Sequence, residues 1–183
     1  MIVAHQKRKE NIVEYLLYMW QIEDLIRASH MDIDEIRRTL LQSYDQPEAV
    51  KEEILRWYEE LIAMMRSEGV TEKGHIQLNK NVLIMLTDLH CRLLKDPKEM
   101  VYGALYYKTL PYIIELRSKS GGTEIPEIET CLTAIYGYFV LRMQKKEIKP
   151  ETMEAIRQIN MFLSLLAEKY KEETELSNTC SME

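Results

Sequence analysis

The sequence predicts an all-α protein: a single-domain, up-and-down bundle of about seven helices around a central, Tyr-rich helix kinked at Pro111. Three observations predict it. Six glycines and five prolines occur in 183 residues, about half the usual share of these two turn-forming residues. Four of the prolines, Pro47, Pro97, Pro126 and Pro150, have an acidic residue within the next two positions. That arrangement marks helix starts, because proline at the first helical position forfeits no hydrogen bond and the acid meets the positive end of the helix dipole. Apolar residues also recur at steps of three and four, and no segment requires a strand.

Read outward from these marks, helices are expected over roughly 7–29, 32–44, 47–68, 72–95, 97–117, 126–146 and 150–171. The first carries a broad apolar arc of Ile12, Val13, Tyr15, Leu16, Leu17, Met19, Trp20, Ile22 and Ile26. Asp32-x-x-Glu35 has the form of a capping box for the second. In the third, Val50, Ile54, Trp57, Tyr58, Leu61 and Met65 make one stripe opposite charged residues, and Gly69 closes it. Thr71 is placed to cap the fourth, whose apolar face holds Val82, Leu86, Leu89 and Leu93 together with His75, Asn79 and His90.

The fifth helix is apolar around nearly its whole circumference, which predicts a central helix packed on several sides. Pro111 lies inside it and frees the Tyr107 carbonyl, so a kink is expected there. Residues 118–123, with Gly121-Gly122, read as a loop. Pro126-Glu127 opens the sixth helix, and Ile156, Ile159, Phe162, Leu163, Leu166 and Tyr170 form the core stripe of the seventh. The expected division is a helical domain over 1–171 and an acidic flexible tail over 172–183.

Composition excludes several classes. Hydrophobic residues at 46% and charged residues at 30% exclude a disordered tail protein, a collagen-like repeat and a turn-rich sandwich. Cys91, Cys131 and Cys180 are odd in number, widely spaced and never in a C-x-x-C pair, which argues against a disulfide framework or a zinc knuckle and for a reducing cytoplasm. No apolar run approaches the ~20 residues of a membrane span, and the basic Lys7-Arg8-Lys9 comes before any signal-peptide-like core. A net charge of −6, from 24 basic and 30 acidic residues, opposes a large phosphate-binding surface. No nucleic-acid partner is expected.

Candidate sites are few. Glu23 and Arg27, with Asp24 at the edge, intrude into the apolar arc of the first helix. They form either a polar patch for a ligand or a structural ion pair one turn apart. Glu72-x-x-His75 has the acid–imidazole spacing of di-metal helical bundles. A second such motif is lacking, and Asp88 and His90 face nearly opposite sides of a helix, so neither a metal nor any other cofactor is expected. His90 and Cys91 diverge by about 100°, and no nucleophile elbow, phosphate loop or dinucleotide fingerprint occurs; no catalytic residue is assigned. Tyr106 and Tyr107 beside Pro111 are placed to line a pocket for a polar-aromatic ligand, the plainer alternative being hydroxyls satisfied by one another. Met161 and Leu165 make a short apolar stripe apart from the core stripe of the seventh helix, a candidate interface.

The run Glu10-Asn-Ile-Val-Glu-Tyr-Leu-Leu-Tyr-Met-Trp-Gln-Ile-Glu-Asp-Leu-Ile-Arg-Ala28, behind a basic start, resembles the opening of an uncharacterised bacterial family filed as a domain of unknown function. The resemblance covers most of the chain to about residue 170. It implies an intracellular, all-helical protein and carries no catalytic residues over to positions here. Together these readings lead to a non-enzymatic cytoplasmic interaction or scaffold protein, self-associating or bound to a protein partner. The alternative is a small-molecule binding protein or enzyme using Glu23, Asp24, Arg27, His75, Tyr106 and Tyr107.

Overall fold

The structure, a computed structural model, describes residues 2–41, 46–119 and 125–180. The elements are α1 (Ile2–Glu10), α2 (Ile12–Ala28), α3 (Ile33–Thr39), α4 (Glu48–Ser67), α5 (Gln77–Lys95), α6 (Met100–Lys119), α7 (Glu127–Met143) and α8 (Pro150–Cys180). No strand occurs among the described residues, so the all-α expectation holds. No helix among them is long and apolar enough to cross a membrane. Most of the expected 118–123 loop lies outside the described residues. Two compact units divide the chain: Met1–Lys9 with Glu14–Val82, and Glu10–Val13 with Leu83–Glu183. Helix α5 changes unit after Val82.

The single helix expected over 7–29 is two. Asn11 separates them, its side-chain Oδ1 accepting the Val13 N–H at 3.0 Å and so capping α2. Lys7 reaches across the break to Glu14 at 3.0 Å, and the Arg8 guanidinium sits 5.7 Å from the centre of the Tyr15 ring. The basic start is thus partly engaged by its own chain.

Helix α2 buries Leu16, Met19, Trp20, Ile22 and Ile26. Helix α4 buries Ile54, Leu55, Tyr58, Leu61, Ile62 and Met65, the expected stripe shifted by one side so that Val50 and Trp57 are half-buried. Helix α3 packs on α4 through the fully buried Ile36. Only half of its expected capping box forms: Asp32 Oδ1 accepts the Asp34 N–H at 2.9 Å, but Glu35 turns to His30 instead. The Asp32 N–H that Glu35 would take is already donated to the Ser29 carbonyl at 2.8 Å.

Gly69 does close α4, at φ +67°, with the Val70 N–H returning to the Met65 carbonyl at 3.0 Å. The next helix, however, starts at Gln77 and not near Thr71. Residues 69–76 run as a non-helical segment with Gly74 at φ +86°. His75 therefore lies before α5 and not on its apolar face.

In the second unit, α6 packs on α7 and α8, and α7 packs on α8. Pro47 in the first unit and Pro126 in the second occupy the position just before their helices, with ψ 145° and 147°. The proline signals are correct to within one residue at these two sites. At Pro97 the offset is larger, because Asp96 Oδ1 takes the Lys98 N–H at 2.9 Å in a turn and α6 starts at Met100. Helix α8 continues to Cys180, beyond the expected end at 171. Arg92 grips Glu173 through two bonds of 2.8 and 2.9 Å, and Lys169 bridges Glu99 and Glu172 at 3.0 and 3.1 Å. These pairs tie the extension down.

Helix α6 departs from the expectation of burial on all sides. Tyr102, Tyr106, Thr109 and Ile113 are buried, whereas Met100, Val101, Tyr107 and Ile114 are 76, 75, 68 and 58% exposed. Neighbouring helices within the unit cover one face only. The helix runs unbroken through Pro111, which is exposed, so its missing N–H is on the open side.

Replacing Asn11 with Ala should cost about 1 kcal/mol through the lost cap on α2, while Asn11→Asp should retain most of that stability. Urea denaturation of both variants measures the difference.

Candidate functional site

The polar intrusion read from the first expected helix becomes a clamp in the first unit. Glu23 is completely buried, at 0% exposure. Its Oε1 accepts the Ile76 backbone N–H and the Asn79 side-chain amide, each at 2.9 Å. Its Oε2 lies 2.5 Å from His75 Nδ1. The His75 ring is stacked on Trp20, with centroids 4.3 Å apart and planes within 13°. One carboxyl group on α2 therefore receives a backbone donor, an amide and an imidazole that all arrive from residues 75–79.

Arg27 completes the clamp one turn further on. Its Nη1 donates to Asp24 at 2.8 Å, and its Nη2 donates to the carbonyls of Val70, at 3.1 Å, and Gly74. Glu23 and Arg27 do not form the expected i, i+4 pair: each holds a different part of the 69–76 segment, and the nearer partner of Arg27 is Asp24. Asp24 is half exposed, as suits an acid that braces a guanidinium from outside. Arg27 Nε and Asn79 Oδ1 are buried without a hydrogen-bond partner among the described residues.

The second unit carries a separate buried network that the sequence showed only as a histidine on an apolar face. His90 is 3% exposed. Its Nδ1 is 2.8 Å from the Tyr102 hydroxyl, and its Nε2 is 3.3 Å from Glu127 Oε2. A carboxylate accepts, so Nε2 carries the proton and donates, and the Tyr102 O–H donates to Nδ1. The Tyr102, Tyr106 and Phe162 rings surround the imidazole at centroid distances of 5.8, 5.1 and 5.6 Å. Burial lowers the His90 pKa from its ordinary 6.5, against the opposing pull of Glu127.

The same burial acts on the neighbouring acids. It pushes Tyr102 up, and raises Tyr106 to about 12, with a hydrogen bond to Glu127 as the second cause. Burial likewise raises the Cys131 thiol to about 12, which favours its protonated form in the core. Glu127 sits in the first turn of α7, where the helix dipole favours an acid. Arg117 holds that turn: it lies 3.8 Å from Glu127 Oε1, and donates to the Ile125 carbonyl and to Thr130 Oγ1 at 3.4 Å.

Of the residues singled out from sequence, Glu23, Asp24, Arg27 and His75 are brought together, but around a segment of the chain's own backbone. Tyr106 joins the His90 network, whereas Tyr107 turns outward and contacts only the edge of that cluster through the Tyr106 ring, 5.2 Å away. Met161 is 45% exposed and Leu165 half-buried on α8. Glu72 and His75 stand in a non-helical segment, so their i, i+3 spacing does not direct them to one ion. Among the described residues no three His, Cys, Asp or Glu side chains gather as a metal site. Glu127 and Tyr102 were missed; the signal was present in His90, whose two ring nitrogens needed partners if its side chain was to be buried.

An all-helical chain with two buried hydrogen-bond networks, one around Glu23 and one around His90, is the class that fold and sites define. The chain belongs to the family described as Domain of unknown function (DUF4924), which matches residues 1–176. No curated protein and no solved structure matches it.

Replacing Glu23 with Ala should destabilise the protein by about 3 kcal/mol, because buried donors lose their acceptor. Amide hydrogens near residues 70–79 should exchange faster in that variant, measured by mass spectrometry. For His90, the folded form resists protonation while the unfolded chain accepts it near pH 6.5. Stability from this group is therefore full above pH 6.5 and falls as pH drops below it toward the depressed folded value. The stability margin of the wild type over His90→Gln should accordingly shrink between pH 7 and pH 5, as read by urea titration.

Proposed function

We propose that this protein is a protein-interaction module that self-associates, in a bacterial cytoplasm, through the outer face of α6. The observation that carries this reading is the exposure of Met100, Tyr107 and Ile114 along one stripe of the helix, at 58–76% each, with Val101, 75% exposed, to one side of it. Ala104 and Pro111 complete the same face, and both are exposed. A contiguous exposed apolar stripe of this kind is characteristic of a contact surface, since single exposed apolar residues are common but aligned ones are not. Met161 on α8 adds a smaller exposed apolar position in the same unit.

The buried networks support a structural role for the remaining unusual residues. At Glu23 three donors already occupy the two carboxyl oxygens, and Arg27 is committed to two backbone carbonyls and Asp24. A small-molecule site there has less support, because a ligand would have to displace the chain's own segment.

Light scattering across a wide concentration range should find a dimer in the unaltered protein. Ile114→Asp or Tyr107→Asp should weaken it about tenfold or more while leaving helicity unchanged, because both positions are exposed and a charge resists desolvation in an apolar contact. Met161→Asp with Leu165→Asp separates a contribution of α8 from that of α6. A strict monomer at high concentration in the unaltered protein overturns the proposal.

A further inference from the structure

Resting on that reading, we infer that the occupant of the α6 face is a second copy of this chain. The two copies of α6 lie antiparallel about a two-fold axis between Pro111 and Tyr112, and Lys108 of each copy pairs with Glu115 of the other. The argument begins with the pattern of the exposed face. At about 100° per residue, Ala104 and Pro111 define its centre, Tyr107 and Ile114 one edge, and Lys108 and Glu115 the other edge. One edge is apolar, and the other carries Lys108 and Glu115, flanked on its outer side by Val101 and Lys119.

Lys108 and Glu115 are seven residues apart, about 10 Å along the axis, and equidistant from the point between Pro111 and Tyr112. A two-fold axis through that point, perpendicular to the helix, keeps the charged edge facing its own copy and reverses its direction. Lysine then meets glutamate twice. Within one residue of the same axis, Tyr107 on the apolar edge comes opposite Ile114 of the partner subunit. A parallel two-fold pair would instead turn the charged edge of each copy toward the apolar edge of the other, leaving both charges unpaired against Tyr107 and Ile114. The distribution of charge thus selects the antiparallel arrangement.

Both charges are available in the single chain. Lys108 is exposed and makes no hydrogen bond or salt bridge among the described residues. The carboxylate whose field it shares, Glu154, has both oxygens taken by Arg157 at 2.7 and 2.9 Å. Glu115 contacts Lys119 one turn on at 2.6 Å, but these side chains are 59 and 70% exposed. An exposed pair within one helix holds only weakly, so Glu115 is readily re-partnered. The centre of the face also suits close approach. Ala104 at that centre projects only a methyl group.

Charge reversal in the full chain tests the arrangement. Lys108→Glu and Glu115→Lys should each weaken self-association about tenfold by sedimentation equilibrium, and the two together in one chain should restore it. Mixing the two single variants should give a heterodimer tighter than either homodimer, since every edge contact becomes complementary. If the double variant is as weak as the singles and the mixture forms no heterodimer, the antiparallel pairing is overturned, even where Ile114→Asp still abolishes the dimer. If the unaltered chain is monomeric and Ile114→Asp changes nothing, the α6 contact itself fails along with it.

Discussion

A carboxyl group with no exposure to water must find hydrogen-bond donors inside the protein, and at Glu23 that requirement organises the non-helical segment 69–76. Its donors come from the Ile76 backbone, the Asn79 amide and His75. The Ile76 N–H, which has no partner within α5, goes to this buried carboxylate. Arg27 reinforces the choice by taking carbonyls from the same segment. Gly74 supplies the left-handed φ that lets its carbonyl face the guanidinium.

The second unit solves the same problem with a different residue. His90 is neutral and doubly bonded between Tyr102 and Glu127, and three aromatic rings exclude water from it. Burial moves His90, Tyr102 and Tyr106 each toward its neutral form, as a low-dielectric setting demands. A neutral network of this kind fixes the packing of particular side chains more than it supplies reactivity. Cys131, held protonated beside it, fits the same description.

The tyrosines of α6 show how one composition serves two environments. Tyr102 and Tyr106 face inward, where their hydroxyls meet His90 of α5 and Glu127 of α7, whereas Tyr107, one residue on, points outward. The same helix therefore contributes to the core with one face and offers an apolar stripe with the other. An amphipathic helix needs only one apolar face to fold. The surplus on α6 is accordingly a feature that folding within the second unit does not use.

What the sequence by itself determined was the helical class and the approximate place of most helices. Proline and acid positions fix helix starts through local backbone sterics and the helix dipole, interactions that span one turn and need no tertiary partner. Pro47, Pro126 and Pro150 mark α4, α7 and α8 to within a residue, and Gly69 ends α4. The sequence also singled out Glu23, Arg27, His75 and Tyr106 as unusual, because charge or a phenol on an apolar face is a local inconsistency. It could not give their partners. Whether Glu23 would meet Arg27 or Ile76, fifty-three residues away, depends on which segments approach, and that is decided by packing at long range. The same holds for α6, where nearly continuous apolar character reads equally as burial on all sides or as one buried and one open face. Only the number of neighbouring helices, a property of the tertiary structure, distinguishes them.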